Sequence, residues 1–200
     1  MITKQLPSLE IENKFLHKGV ICGIDEVGRG CLAGPVVASA VILDINNIPK
    51  GINDSKKLSK NKRYILYEKI MKASKQVAFG QASVNEIDKL NILNASLLAM
   101  ERAYSNLCRK SDFALVDGKF VPKIKCKVLN IIKGDTKSLS IAAASIMAKV
   151  NRDKILQLLH KKFPKYNFIN NMGYGTKEHY AAIKEYGICQ HHRKSFKLFK

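Results

Sequence analysis

Four carboxylates share one kind of sequence context. Asp25 and Glu26 follow the apolar run Val20 to Ile24. Asp117 follows Phe113 to Val116, and Asp135 follows Val128 to Ile132 and Gly134. Each apolar run reads as a buried strand, so each acid is delivered to a strand end. In an open α/β sheet that is where ligands and catalytic groups collect. Clustered carboxylates repel one another unless a cation neutralises them. An oxygen-only donor set suits Mg²⁺ or Mn²⁺ rather than zinc. Two such ions can activate a water and stabilise the leaving oxygen of an in-line displacement at phosphorus.

Blander readings compete at each position. Asp117 before Gly118 also suits a turn, and Asp135, three residues before Ser138, also suits the start of a helix. Asp25 and Glu26 are adjacent, so on a regular strand they point to opposite faces. They can share a site only if the strand ends or twists there. Other acids fit less well. Asp153 stands four residues after Lys149 on a helix, which favours an ion pair. Asp44 and Asp54 lie in loop sequence with no strand behind them.

The elements that must position these acids follow from periodicity. Val20 to Ile24, a tight Gly-Arg-Gly turn and Val36 to Leu43 read as strand, turn, strand. Ser59 caps a helix through Met71. Gln76 to Val84 is a third strand, weakened at Gly80. Glu86 to Cys108 is helical, with Asn91 and Asn94 as candidate breaks. Phe113 to Val116 and Val128 to Ile132 are strands. Ser138 to His160 is a long helix, with an Ala-rich stretch suited to close packing, and Pro164 follows its end. Asn167 to Gly175 reads as a polar loop. Thr176 caps a helix to Tyr186 that Gly187 ends. Residues 1–17 read as a loose or helical lead-in, and the basic tail from His191 as partly exposed. Early strands followed by alternating strands and helices predict an α/β layer fold with a mixed sheet. Pattern alone leaves the strand order open.

Composition narrows the partners. The 200 residues fit one domain, and the hydrophobic fraction of 46% supports a core. No apolar stretch reaches membrane length, and no signal peptide is visible, so the expectation is a cytoplasmic protein without membrane contact. Five scattered cysteines suggest neither a disulfide framework nor zinc. Lys and Arg number 35 against 16 Asp and Glu, a net charge of +19. Such a charge attracts a polyanion. A lysine-rich genome bias gives a similar count, and six of the cations are arginine (Arg29, Arg63, Arg102, Arg109, Arg152 and Arg193). An acidic centre on a basic chain nevertheless has the layout of a nuclease.

Several motifs then point one way. Gly23-Ile24-Asp25-Glu26-Val27-Gly28-Arg29-Gly30 through Pro35, Asn53-Asp54-Ser55-Lys56, Val116-Asp117-Gly118 and Lys133-Gly134-Asp135 occur in that order. So do Ala142-Ala143-Ala144-Ser145-Ile146, Gly173-Tyr174-Gly175-Thr176-Lys177-Glu178-His179 and His192-Arg193-Lys194-Ser195-Phe196. Together, over roughly residues 20–196, they resemble ribonuclease HII of the bacterial type. Ribonuclease HIII is less similar.

The resemblance implies a ribonuclease H-like α/β fold with a five-stranded mixed sheet flanked by helices. It implies a single domain over 1–200, with a small helical C-terminal part and basic tail from about 164 to 200. It implies a metal-dependent endoribonuclease that cleaves RNA in RNA–DNA hybrids and 5′ of single ribonucleotides embedded in duplex DNA. The ends would be 5′-phosphate and 3′-hydroxyl, and the role removal of misincorporated ribonucleotides. Asp25, Glu26, Asp117 and Asp135 fall on the family's catalytic, metal-binding acids, with Mg²⁺ or Mn²⁺ as cofactor.

Gly28, Arg29 and Gly30 match the loop that approaches the ribose 2′-hydroxyl. That contact is what separates RNA from DNA. Tyr174 matches the tyrosine that stacks at the RNA–DNA junction. Ser55, Lys56 and Arg193 match phosphate-contacting positions. Glu178 and His179 are read as supports of the helix start. Val27 stands where the family commonly has Ala. The tail carries no recognisable clamp-binding motif, and a monomer is expected. A binding-only module and a junction resolvase are the competing classes. The acid quartet opposes the first, and the Gly-Arg-Gly turn with Tyr174 opposes the second.

Overall fold

A computed structural model describes residues 6–199; the first five residues of the lead-in and Lys200 lie outside it. Five strands form one mixed sheet: β1 (Ile21–Val27), β2 (Val36–Ile42), β3 (Gln76–Ala82), β4 (Phe113–Asp117) and β5 (Lys127–Ile131). Their order is β3-β2-β1-β4-β5. The first three are antiparallel neighbours, whereas β4 runs parallel to β1 and β5 parallel to β4. β1 and β2 read as near-continuous apolar runs because helices cover both faces of the sheet.

The described residues also form six α-helices: α1 (Glu10–Asn13), α2 (Lys60–Ala73), α3 (Val84–Ser105), α4 (Leu139–Lys162), α5 (Phe168–Asn171) and α6 (Lys177–Tyr186). α3 covers one face, burying Ile87, Ala95, Ala99 and Ala103 against Cys22, Ile24, Val36 and Val116. α4 covers the other, where Ala142, Ala143, Ile146 and Met147 meet Val41 and α2. The small residues allow close approach. A Cβ on Gly23 would lie 2.1 Å from the backbone of Ser140. A Cβ on Gly80 would lie 2.3 Å from the backbone of Ala103. Gly80 therefore marks helix contact rather than a weak strand centre.

Several boundaries differ from expectation. β1 runs through the two acids to Val27, because Asp25 and Glu26 pair with Ser39 and Ala38 of β2. The step to β2 is not a tight turn but a loop over 28–35, tied by bridges from Cys31 to Tyr174 and from Ala33 to His192. Asn91 does interrupt α3, with φ 65° and ψ 165°. The segment 167–175 is not wholly loop. It contains α5, because Phe168 is fully buried with Tyr166, Leu156 and Ile183. The tail is partly exposed, as expected, with His192 and Arg193 buried and Lys194, Ser195 and Lys197 exposed. The lead-in is anchored as well. Buried Glu12 accepts hydrogen bonds from Ser138 Oγ (2.7 Å) and Ser140 N (2.9 Å), at the first turn of α4.

Candidate active site

Parallel pairing of β1 and β4 aligns Ile24 with Val116, so the next residues, Asp25 and Asp117, end side by side. β5 then passes through a single 3₁₀ turn, Gly134–Thr136, that carries Asp135. Asp117 Oδ1 accepts from Gly134 N at 2.6 Å, which ties the β4 end to that turn. Asp25 and Asp135 are each 5% exposed.

The electrostatics follow from this crowding. Burial raises the Asp25 carboxyl well above its ordinary range, and the charges of Glu26, Asp117 and Asp135 push the same way. A hydrogen bond from Ser145 of α4 opposes them. Burial also raises Glu26, against the opposing pull of Arg29 and with Asp117 adding to the rise. Arg29 Nη1 donates to Glu26 Oε1 at 3.2 Å. Burial raises Asp117 as well, and Asp135 adds to it, while the Gly134 N–H pulls it back. Asp117 thus raises both acids of β1, although Asp25 and Glu26 start from opposite faces of the strand.

Lys56 stands over this cluster, its Nζ 3.4 Å from Asp135 Oδ2. Partial burial lowers its affinity for a proton, but Asp135, Asp25 and Asp54 outweigh that and raise it. Ser55 is buried, and its Oγ is 2.9 Å from Ser145 Oγ. Asp54 has a local role: its carboxylate accepts from Lys56 N at 2.9 Å, shaping the 55–57 turn. Asp153 pairs with Lys149 at 2.6 Å, as expected.

The donors fit a hard divalent cation. They are all carboxylate oxygens, they repel one another, and Glu26 Oε2 is buried without a partner. Among the described residues no three His, Cys, Asp or Glu side chains close around one point. Mg²⁺ does not require such a cage, since one or two carboxylates commonly hold it together with substrate phosphates.

The glycine turn lies beside the acids. Gly28 has φ 96°, and a Cβ there would meet Arg152 Nε at 2.2 Å. Gly30 faces open space. Tyr174 is 41% exposed, and the bridge to Cys31 sets it alongside this turn. The Tyr174 phenol is raised by burial and by Cys31.

Arg193 is not brought to the surface. It is fully buried, and its guanidinium donates to the carbonyl oxygens of Gly34, Arg29 and Gly28. Its place is beneath the turn, where it cannot reach a phosphate without unmaking those bonds. Arg152 was missed by sequence reasoning. It is buried and donates to the carbonyls of Ala33, Pro35 and Met172, joining the 28–35 loop to the Tyr174 segment. The available signal was spacing. Ala148, Arg152 and Leu156 fall four apart on one helix, and the two apolar residues are fully buried. A charge in such a stripe is almost never fully buried unless its donors are paired.

Comparisons with known proteins bear on the family and the fold. The family model described as Ribonuclease HII matches residues 22–199. A Ribonuclease HII from Wolbachia sp. subsp. Brugia malayi is 54% identical over 191 residues, covering 95% of this chain and 93% of its own. The ribonuclease HII of Archaeoglobus fulgidus, solved in a PCNA complex, superposes with a TM-score of 0.76 at 28% identity, covering 90% of this chain and 96% of that one. Bst-RNase HIII, solved in complex with Mn²⁺, superposes with a TM-score of 0.67 at 19% identity, covering 84% and 63%, a likeness of fold alone.

Proposed function

The chain belongs to the ribonuclease HII family and cleaves RNA in RNA–DNA hybrids and at embedded ribonucleotides; from that premise we propose that Asp25, Glu26, Asp117 and Asp135 are its catalytic, metal-holding acids. The observation that carries this reading is geometric: Asp25 and Asp117 follow the paired residues Ile24 and Val116, and Asp117 Oδ1 accepts from Gly134 N at 2.6 Å, next to Asp135. A protein that only bound nucleic acid would gain nothing from acids that repel phosphate.

The acids would hold Mg²⁺ or Mn²⁺, and Mn²⁺ is the ion bound by the HIII relative. When bound, such an ion supplies an activated water and neutralises charge at the scissile phosphate. The remaining work falls to side chains and backbone. Asp25 and Glu26 are fixed by the β1–β2 ladder, and Asp117 by Gly134 N, so their oxygens need little reorganisation. Lys56, whose side chain is largely exposed, provides a mobile cation for the phosphate next to the cut. Ser55 orients that loop through Ser145.

Ribose recognition is assigned to Gly28, Arg29 and Gly30: Arg193 holds the carbonyls of Gly28 and Arg29, and Gly30 faces the open space where a 2′-hydroxyl in the minor groove can approach. Tyr174 supplies an exposed ring beside them for stacking at the junction. In this reading Arg193 positions the turn rather than touching phosphate. Cleavage 5′ of the ribonucleotide, leaving 5′-phosphate and 3′-hydroxyl ends, belongs to the same reading. One chain provides every group, which supports action as a monomer. No helix among the described residues is long and apolar enough to cross a membrane.

The test is a DNA duplex with one embedded ribonucleotide, incubated with Mg²⁺, Mn²⁺ or EDTA, alongside Asp117→Asn. A single metal-dependent nick 5′ of the ribonucleotide, lost in the variant, is the expected result. Tight binding without a nick under either metal would sink the assignment of the acids.

A further inference from the structure

We propose that His192 and His179 are positioning residues that hold the Tyr174 segment in place through a one-way chain of hydrogen bonds. The inference rests on the reading of Tyr174 as the junction-sensing residue. Cys189 N donates to His192 Nδ1 at 3.0 Å, so this nitrogen carries a lone pair. The His192 proton therefore sits on Nε2, which lies 3.1 Å from His179 Nε2. His179 must accept there, which leaves its proton on Nδ1. That N–H points at the carbonyl oxygen of Tyr174, 2.9 Å away.

Each neutral ring has one donor and one acceptor. The chain is satisfied in one tautomeric arrangement only. Reversing either ring, or adding a proton to either, sets two donors against each other. The Cys189 thiol (3.2 Å) and carbonyl (3.3 Å) make the other contacts of His192 Nδ1.

The surroundings enforce neutrality. His179 is fully buried and His192 is 1% exposed. The rings of Tyr166 and Phe168 pack against both imidazoles. Burial lowers the proton affinity of both, and for His192 the neighbouring His179 adds to the effect. The titratable groups facing the pair are Glu178 on the side of His179, and Cys189 and His191 on the side of His192. The next residue along, Arg193, holds Gly28 and Arg29. Two consecutive tail residues thus fix the two loops that face the ribose.

The test begins with ¹⁵N NMR of the histidine rings in the unaltered protein. His179 is expected in the less common Nδ1–H tautomer and His192 in the Nε2–H tautomer. An Nε2–H tautomer at His179 overturns the proposal without any variant. The second arm measures kcat/KM on the single-ribonucleotide duplex. His192→Phe removes the donor and should lower it roughly threefold to tenfold, the worth of one hydrogen bond. His192→Gln restores an amide donor near Nε2 and should recover most of the loss. In a Tyr174→Ala background, His192→Phe should cost less than about twofold. An undiminished cost there overturns the positioning role. Tyr174→Ala cleaving as well as the wild type overturns the reading of Tyr174 instead, while the tautomers stand.

Discussion

Arg193 Nη2 donates to the carbonyl oxygen of Gly28 at 2.7 Å, across a separation of 165 residues. The same guanidinium reaches Arg29 O at 2.9 Å and Gly34 O at 2.8 Å. A buried guanidinium is costly unless its donors are satisfied, and here carbonyls satisfy them without a carboxylate. Burial lowers its pKa to about 10, so it stays charged at neutral pH. The C-terminal tail thereby sets the shape of a loop that follows the first strand. Asp88 of α3 secures that tail, accepting from Lys194 N and Ser195 N.

Arg193→Ala should destabilise the fold by about 3 kcal/mol or more, because it leaves several carbonyls buried without donors. Arg193→Lys should recover little, since an ammonium cannot fork to three carbonyls. Thermal melting of the two variants decides this. A lysine variant as stable as the wild type would contradict the clamp.

Gly28 and Gly30 should separate stability from recognition. Gly28→Ala places a Cβ at φ 96° against Arg152 and should lower stability by more than about 1 kcal/mol. Gly30→Ala enters open space and should melt within about 0.5 kcal/mol of the wild type. Its effect should fall on cleavage, because the new methyl projects where the minor groove must approach. Melting curves and single-turnover cleavage of both variants test the division.

The acid cluster should be a liability without metal. A carboxyl whose folded pKa is raised contributes stability below its unfolded pKa, and loses it as pH rises through the folded value. Asp25 is such a group, so at neutral pH its charge opposes folding. Asp25→Asn should therefore raise the metal-free Tm by roughly 2–4 °C, taking about 1 kcal/mol of relief. The same substitution should abolish cleavage. Mg²⁺ should raise the Tm of the wild type but not of the variant. A lower metal-free Tm for Asp25→Asn would mean that its hydrogen bond to Ser145 outweighs the repulsion.

Acid should loosen the tail through the histidine pair. Burial, then the charge of His179, lowers His192 from 6.5 to about 4. The unfolded chain therefore binds a proton that the folded chain excludes. Stability from this group is complete above about pH 6.5 and declines as pH falls from 6.5 toward 4. His192→Gln, which cannot titrate, should flatten that part of the stability profile. Equal slopes for the two proteins in denaturant titrations at pH 4.5 and 7 would show that His192 is protonated in the folded state.

The strands and the long helices were legible locally, and so was the delivery of Asp117 and Asp135 by the ends of β4 and β5. Each acid follows its own apolar run, and α2, α4 and α6 carry the Ser or Thr N-caps their sequences offer. Ser59 caps α2 as expected, whereas Ser83, read as part of the third strand, caps α3 in a reciprocal pair with Glu86. What was misjudged depends on distant partners. β1 continues through Asp25 and Glu26 because β2 supplies a ladder there, and no local feature of two adjacent acids favours a strand. Phe168 forms a helix turn because a cluster receives its ring.

The sequence by itself determined the chemistry: which oxygen donors exist, that they follow strands, and that a basic chain surrounds them. Residue type and short-range periodicity carry that information. Tertiary structure alone decided what Arg193, Arg152, His179 and His192 do. An arginine in a basic tail has the same local sequence whether it meets a phosphate or three carbonyl oxygens. Only the folded chain removes it from water and sets those oxygens within 3.0 Å. The cost of burying an unmatched charge then fixes the loop to the tail, because any other position leaves donor and acceptors without partners.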